Sequence, residues 1–174
     1  MGLPRRLAIA GCLLATALSA AAVAPALPLA ATAQQVTSQG VGRVKLGRTY
    51  RSLLADKLVG GVGTGCELAG PNARSAALRS PLKGTVDLTR SSPRKVANIA
   101  VTAGVTARGV RIGSPASRIR TAYPQVVVDR STEPTFAITL YKVPKSGGGK
   151  LQFAVDKRTK KVLTIGIPAI PFCD

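Results

Sequence analysis

Val44-Lys45-Leu46-Gly47 returns 66 positions later as Val110-Arg111-Ile112-Gly113. The same displacement carries Leu53 onto Ile119, Lys95 onto Lys161, Val96 onto Val162, Ile99 onto Ile165 and Val101 onto Ile167. No gap is needed across either copy, so an internal duplication accounts for the pattern better than chance does.

Each copy opens with an extended arm. Val44 and Leu46 alternate against Arg43 and Lys45, as in a half-buried strand. In the first copy Thr49 is a natural N-cap for a helix to about Val59, with Leu53, Leu54 and Leu58 on one face. Gly60-Gly61, Gly63 and Gly65 then predict a loop into Cys66. Glu67 to Leu78 carries no distinct pattern. Gly84–Thr89 and Lys95–Val101 read as strands around a turn at Arg90–Arg94. In the second copy Ser114-Pro115 predicts an N-cap followed by proline at the first helical position, with the helix running to Ala122. Strands are expected at 125–130, 135–143, 151–155 and 162–167, with Ser146-Gly147-Gly148-Gly149 as a hairpin loop.

The expected class is α+β: two tandem copies of a short helix plus about three antiparallel strands, forming one sheet with helices on one face. No Pro- or Ser-rich linker separates the copies, so one domain, 43–174, should hold both repeats, about 43–104 and 105–174.

Ahead of this domain, Arg5 and Arg6 precede an apolar run from Leu7 to Ala24, broken by Pro25 and Pro28. Ala31-Thr32-Ala33 then offers a small-x-small cleavage site, so 1–33 is expected to be a signal peptide and 34–42 a flexible leader. Ile9-Ala10-Gly11-Cys12 resembles a lipobox, but too short an apolar stretch precedes Cys12 and too long a one follows, which argues against a lipoprotein. The mature chain is expected to lack a transmembrane span, to be secreted or extracytoplasmic, and to associate with the cell envelope.

Without Arg5 and Arg6 the chain keeps 23 of its 25 basic residues against 7 acidic ones, a formal charge of +16. Two cysteines remain, Cys66 and Cys173. An even pair in an exported chain reads as one disulfide. A catalytic thiol is the alternative, but the sequence contains no histidine to activate it.

The pattern G-x-G-x-V-x-L-G-x-T (Gly40, Gly42, Val44, Leu46, Gly47, Thr49) and its partner T-x-x-G-V-x-I-G-x-P (Thr106, Gly109, Val110, Ile112, Gly113, Pro115), with Cys66 and Cys173, resembles a broad group of uncharacterised secreted actinobacterial tandem-repeat proteins. More remotely it is similar to repeat modules of the beta-lactamase-inhibitory-protein type and to small outer-membrane lipoproteins. The resemblance covers nearly all of the mature chain, though its motifs are structural glycines and apolar positions. It implies a fold and an extracytoplasmic location. Beta-lactamase inhibition does not follow, because such inhibitors use aromatic-rich faces and this chain has no tryptophan.

Catalytic constellations are missing from the sequence. Without histidine there is no Ser-His-Asp or Cys-His arrangement and no common zinc site. Asp129 and Glu133 are the closest carboxylate pair, yet on an extended segment they need not face one another. Ser91, Ser92, Ser114 and Ser117 read as turn and cap residues. Gly147-Gly148-Gly149-Lys150 lacks the Ser/Thr and the helix of a phosphate loop. A non-enzymatic protein with no cofactor and no metal is expected.

Charge is the remaining signal. Arg90, Arg94 and Lys95 flank the hairpin of the first copy; Lys157, Arg158, Lys160 and Lys161 fill that of the second. These seven are the candidate anion-binding residues, for an anionic cell-wall polymer, lipid headgroups or an acidic protein. The competing reading is that charged tips keep sheet edges soluble and unpaired. Nucleic acid is disfavoured, because no aromatics accompany the cations. Two further functional readings are a protein-binding or inhibitory module using the sheet face, and a hydrolase of unfamiliar type. Oligomeric state is not encoded in any pattern found.

Overall fold

The structure, a computed structural model, describes residues 33–144 and 150–173. The expected signal segment before Ala33, Cys12 and the Ser146–Gly149 loop lie outside the described residues. Among those described, no helix is long and apolar enough to cross a membrane.

Twelve strands dominate the described residues. In chain order they are β1 (Gln34–Thr37), β2 (Gly40–Val41), β3 (Val44–Lys45), β4 (Val59–Thr64), β5 (Arg74–Leu78), β6 (Lys83–Leu88), β7 (Val96–Ala103), β8 (Val105–Thr106), β9 (Val127–Asp129), β10 (Ile138–Val143), β11 (Leu151–Asp156) and β12 (Val162–Ile167). The helices are short: α1 (Tyr50–Ala55), α2 (Ala116–Ala122) and α3 (Glu133–Phe136), with a 3-10 turn at Glu67–Ala69. Strand accounts for 46% of the described chain and helix for 15%. This overturns the α+β expectation of one sheet with helices on one face. The molecule is mostly β, with an eight-stranded antiparallel sheet ordered β4-β5-β6-β7-β12-β11-β10-β9 and a four-stranded sheet ordered β3-β2-β1-β8.

The additional strands fall where the sequence pattern is weak. Gln34–Thr37, expected as flexible leader, pairs antiparallel with β2 and parallel with β8, and buries Val36. Glycine-rich Val59–Thr64 is an edge strand, irregular in register between Val59 and Val62, a place where glycine is tolerated. It begins early because α1 stops at Ala55 and Lys57 turns to φ 56°. Thr49 does cap α1, its hydroxyl accepting from the Ser52 N–H at 3.3 Å. Ser114 does not cap α2: Pro115 occupies the cap position, and the Ser114 hydroxyl accepts from the Arg111 N–H at 2.9 Å.

Backbone hydrogen bonds recur at the 66-residue displacement. Gly47 N–H donates to Val96 O (2.9 Å), Val96 N–H to Arg48 O (2.8 Å) and Tyr50 N–H to Arg94 O (2.8 Å); Gly113 N–H donates to Val162 O (2.7 Å), Val162 N–H to Ser114 O (2.9 Å) and Ala116 N–H to Lys160 O (2.9 Å). Bridges Thr49–Lys95 and Pro115–Lys161 match in the same way. In each copy, therefore, the start of the helix is clamped to the tip of the hairpin.

The copies meet at β7 and β12, where Val101 faces Ile165, Ala100 faces Gly166 and Ile99 faces Ile167. Ala100 and Gly166 are themselves 66 apart, so a local twofold axis passes between them. Leu53, Ile119, Ile99, Ile165, Ile167 and Phe153 are all fully buried in one core. Burying a side chain of this size stabilises by roughly 1.5–3 kcal/mol, and neither short helix could find that burial alone.

On the other side of the sheet the C-terminal tail crosses the central strands. A Cβ at Gly166 would lie 2.3 Å from Ile170 Cγ1 and 2.8 Å from Ala169 O. Only glycine permits this approach. Ile170 N–H donates to Gln152 Oε1 (3.1 Å), and the tail ends in the Cys66–Cys173 disulfide, Cα–Cα 5.3 Å.

Candidate functional site

The register of β7 on β12 decides where the basic hairpins point. Lys95 lies four residues before Ile99 and Lys161 four before Ile165. With Ile99 opposite Ile167 and Val101 opposite Ile165, the tips leave opposite ends of the sheet. They are separated by about ten strand positions, or roughly 33 Å. That is several Debye lengths, about 8–10 Å each in ordinary salt. The seven candidate cations are thus two groups and not one patch: Arg90, Arg94 and Lys95 at one edge, Lys157, Arg158, Lys160 and Lys161 at the other.

Within each group some cations are already engaged. Arg90 Nη2 donates to the Ala69 carbonyl and so holds the 3-10 turn. Lys157 Nζ lies 3.6 Å from Glu133 Oε2. Among the described residues, Arg94, Lys95, Arg158, Lys160 and Lys161 form no ion pair. The second tip is also firmly built. Asp156 Oδ1 accepts from the Thr159 N–H (2.6 Å) and hydroxyl (2.8 Å), Lys160 N–H returns to Asp156 O (3.0 Å), and Lys160 has φ 56°. The Thr159 N–H, above all, holds the Asp156 carboxyl below its ordinary range.

Neighbouring residues separate the two edges further. In the first copy Asp56 closes α1 and receives Arg43 Nη2 and Arg48 Nη2, both at 2.8 Å on Oδ2. The Arg48 hydrogen bond is the main reason its carboxyl is held low. In the second copy the corresponding position is Ala122. Arg111, on the arm, and Arg118, on α2, are exposed there. Arg118 Nε donates to Gly109 O (3.1 Å), and among the described residues neither arginine meets a carboxylate. This edge therefore presents Arg111, Arg118, Arg158, Lys160 and Lys161 outside any ion pair among the described residues, its two carboxylates being engaged by the Thr159 turn (Asp156) and by Lys157 (Glu133). Sequence reasoning took only the hairpin half of this group. Arg111 and Arg118 lie outside the hairpin in sequence and join it only through the bonds between the start of α2 and Lys160–Val162.

The remaining carboxylates stabilise the fold locally. Asp129 pairs with Lys142, and Glu133 accepts from the Thr139 hydroxyl (2.7 Å) beside Arg130 and Lys157. Asp129 and Glu133 thus have separate partners, and both are held below their ordinary range, chiefly by the Lys142 and Thr139 hydrogen bonds respectively. Asp87 differs: half-buried on the tail side of the sheet, it is pushed up by burial and opposed by an Asn98 amide at 3.5 Å.

Compared with protein-family models, curated proteins and solved structures, the chain matches none of the three.

Proposed function

We propose that this chain is an exported, non-enzymatic module of the uncharacterised secreted tandem-repeat type that holds an anionic polymer at the cell envelope, principally through the edge of the second copy. The observation that carries this reading is the cluster Arg111, Arg118, Arg158, Lys160 and Lys161, which forms no ion pair among the described residues and outnumbers the local carboxylates Asp156 and Glu133. Five cations on one edge, two of them on a tightly hydrogen-bonded turn, attract phosphate or sulfate groups through charge-assisted hydrogen bonds. The second basic tip, roughly 33 Å away, favours an extended polymer over a small anion, because only a chain can touch both. The Cys66–Cys173 disulfide supports an oxidising, extracytoplasmic setting. The sheet-face reading receives less support, since the tail from Pro168 to Cys173 lies across the central strands.

The test is salt-dependent retention of the 34–174 chain on immobilised heparin or polyphosphate. Log affinity should fall linearly with log salt as counterions are released. Retention that is absent at low salt, or indifferent to salt, would refute the polymer reading.

A further inference from the structure

Arg108 lies beside Arg118 in the second copy. It occupies a left-handed backbone conformation, φ 48°, which glycine adopts freely and arginine does not. The equivalent residue of the first copy is Gly42, at φ 50°. The same backbone is thus built with glycine in one copy and with a strained arginine in the other. Strain of this kind persists where the side chain is used.

The side chain lies over an aromatic ring. Arg108 Cζ is 5.2 Å from the centroid of Tyr123, and Tyr123 is itself buried against Phe153, centroids 5.5 Å apart. Among the described residues Arg108 has no carboxylate partner. It stands at the wall of a cleft of about 300 Å³ whose polar lining includes Gln35, Ser38 and Gln125 and whose apolar lining includes Val143 and Leu151. The cleft beside Gly42 in the first copy, which Gln35 also lines, lacks these groups: Lys57 replaces Tyr123 and Val59 replaces Gln125.

We propose that this cleft binds a single carboxylate at the end of a short, uncharged chain, such as the C-terminus of a small peptide. A guanidinium steadied on an aromatic face is pre-organised for two parallel hydrogen bonds to a carboxylate. One cation amid neutral amides and hydroxyls matches one negative charge. Val143 and Leu151 suit small aliphatic side chains next to it. The site adjoins Arg118 of the polymer-binding edge, but its test uses no polymer, so either reading can fail alone.

The probe is N-acetyl-alanyl-alanine with a free carboxylate, compared with its C-terminal amide, titrated into isotope-labelled protein and followed by amide chemical shifts. The free acid should shift the resonances of Gln35, Arg108, Tyr123 and Gln125 saturably, with Kd on the order of millimolar or tighter, and the amide should not. Arg108→Gly restores the residue the first copy uses, so it should abolish the response while leaving the melting temperature equal or higher. Should that variant fail to fold, Arg108→Lys, which keeps the charge but not the fork, should weaken binding about tenfold. No saturable shift with the free acid, equal shifts with the amide, or undiminished shifts in the variant that folds would each overturn the proposal.

Discussion

The two copies share a backbone and differ in what they do with charge. At the first, Asp56 gathers Arg43 and Arg48 at the end of α1. At the second, Ala122 stands in that place and Gly109 and Ser114 stand for the two arginines, while Arg111, Arg118, Arg158, Lys160 and Lys161 form no ion pair among the described residues. The contrast runs the same way on the tail side of the sheet. There Asp87 of β6 is half-buried, whereas its counterpart on β11, given the one-residue-shorter hairpin, is the buried Ala154. A duplicated unit can thus keep one scaffold while only one copy acquires a candidate binding surface.

The largest effect that could break the symmetry comes from the tie between them. Cys66 belongs to the first copy and Cys173 to the tail of the second, closing a loop of 107 residues. Replacing both by serine should cost roughly 4–5 kcal/mol on the chain-entropy model. Chemical denaturation would show this, and a loss near zero would mean the tail holds without its bond.

Next in size is the core. Leu53 and Ile119 are equivalent and fully buried, so Leu53→Ala and Ile119→Ala should each destabilise by about 2–5 kcal/mol in a single unfolding transition. Two separate transitions would show that the copies do not share one core.

Acid titration gives a smaller effect with opposite signs. Asp56 is held low by its arginines, so its stabilisation is present above the ordinary carboxylate value and lost as pH falls through the depressed one. Asp87 is pushed up by burial, so its contribution is full below the ordinary value and lost as pH rises through the raised one. Asp56→Asn should therefore flatten the acid limb of the stability curve. Asp87→Asn should leave stability at neutral pH equal or higher. Guanidinium denaturation at pH 3 and pH 7 distinguishes the two, and a loss at pH 7 on Asp87→Asn would contradict the assignment.

What could be read in advance was local. The start of α1 at Thr49, the alternation of Val44 and Leu46, and the buried pairs Leu53/Ile119 and Ile99/Ile165 follow from spacing alone. Strands β1 and β4 did not, because Gln34–Thr37 is polar and Val59–Thr64 is rich in glycine; each is held by pairing with a distant segment. The hairpin cations were visible as sequence clusters. Their separation was not, because it depends on the antiparallel register of β7 against β12. The Asp56 ion pairs escaped notice because Arg43 and Asp56 are brought together only by the return of the chain through α1.

One measurement separates a placed site from bulk positive charge. Arg158, Lys160 and Lys161 are reversed to glutamate in one protein, and Arg94, Lys95 and the exposed Arg51 at the start of α1 in another, so that both carry the same net charge. Elution from immobilised heparin or polyphosphate is then compared at one pH. The second-copy variant is expected to elute at clearly lower salt than the first-copy variant. Identical elution of the two would show that total charge alone governs retention, and the second-copy edge would lose its claim to be the site.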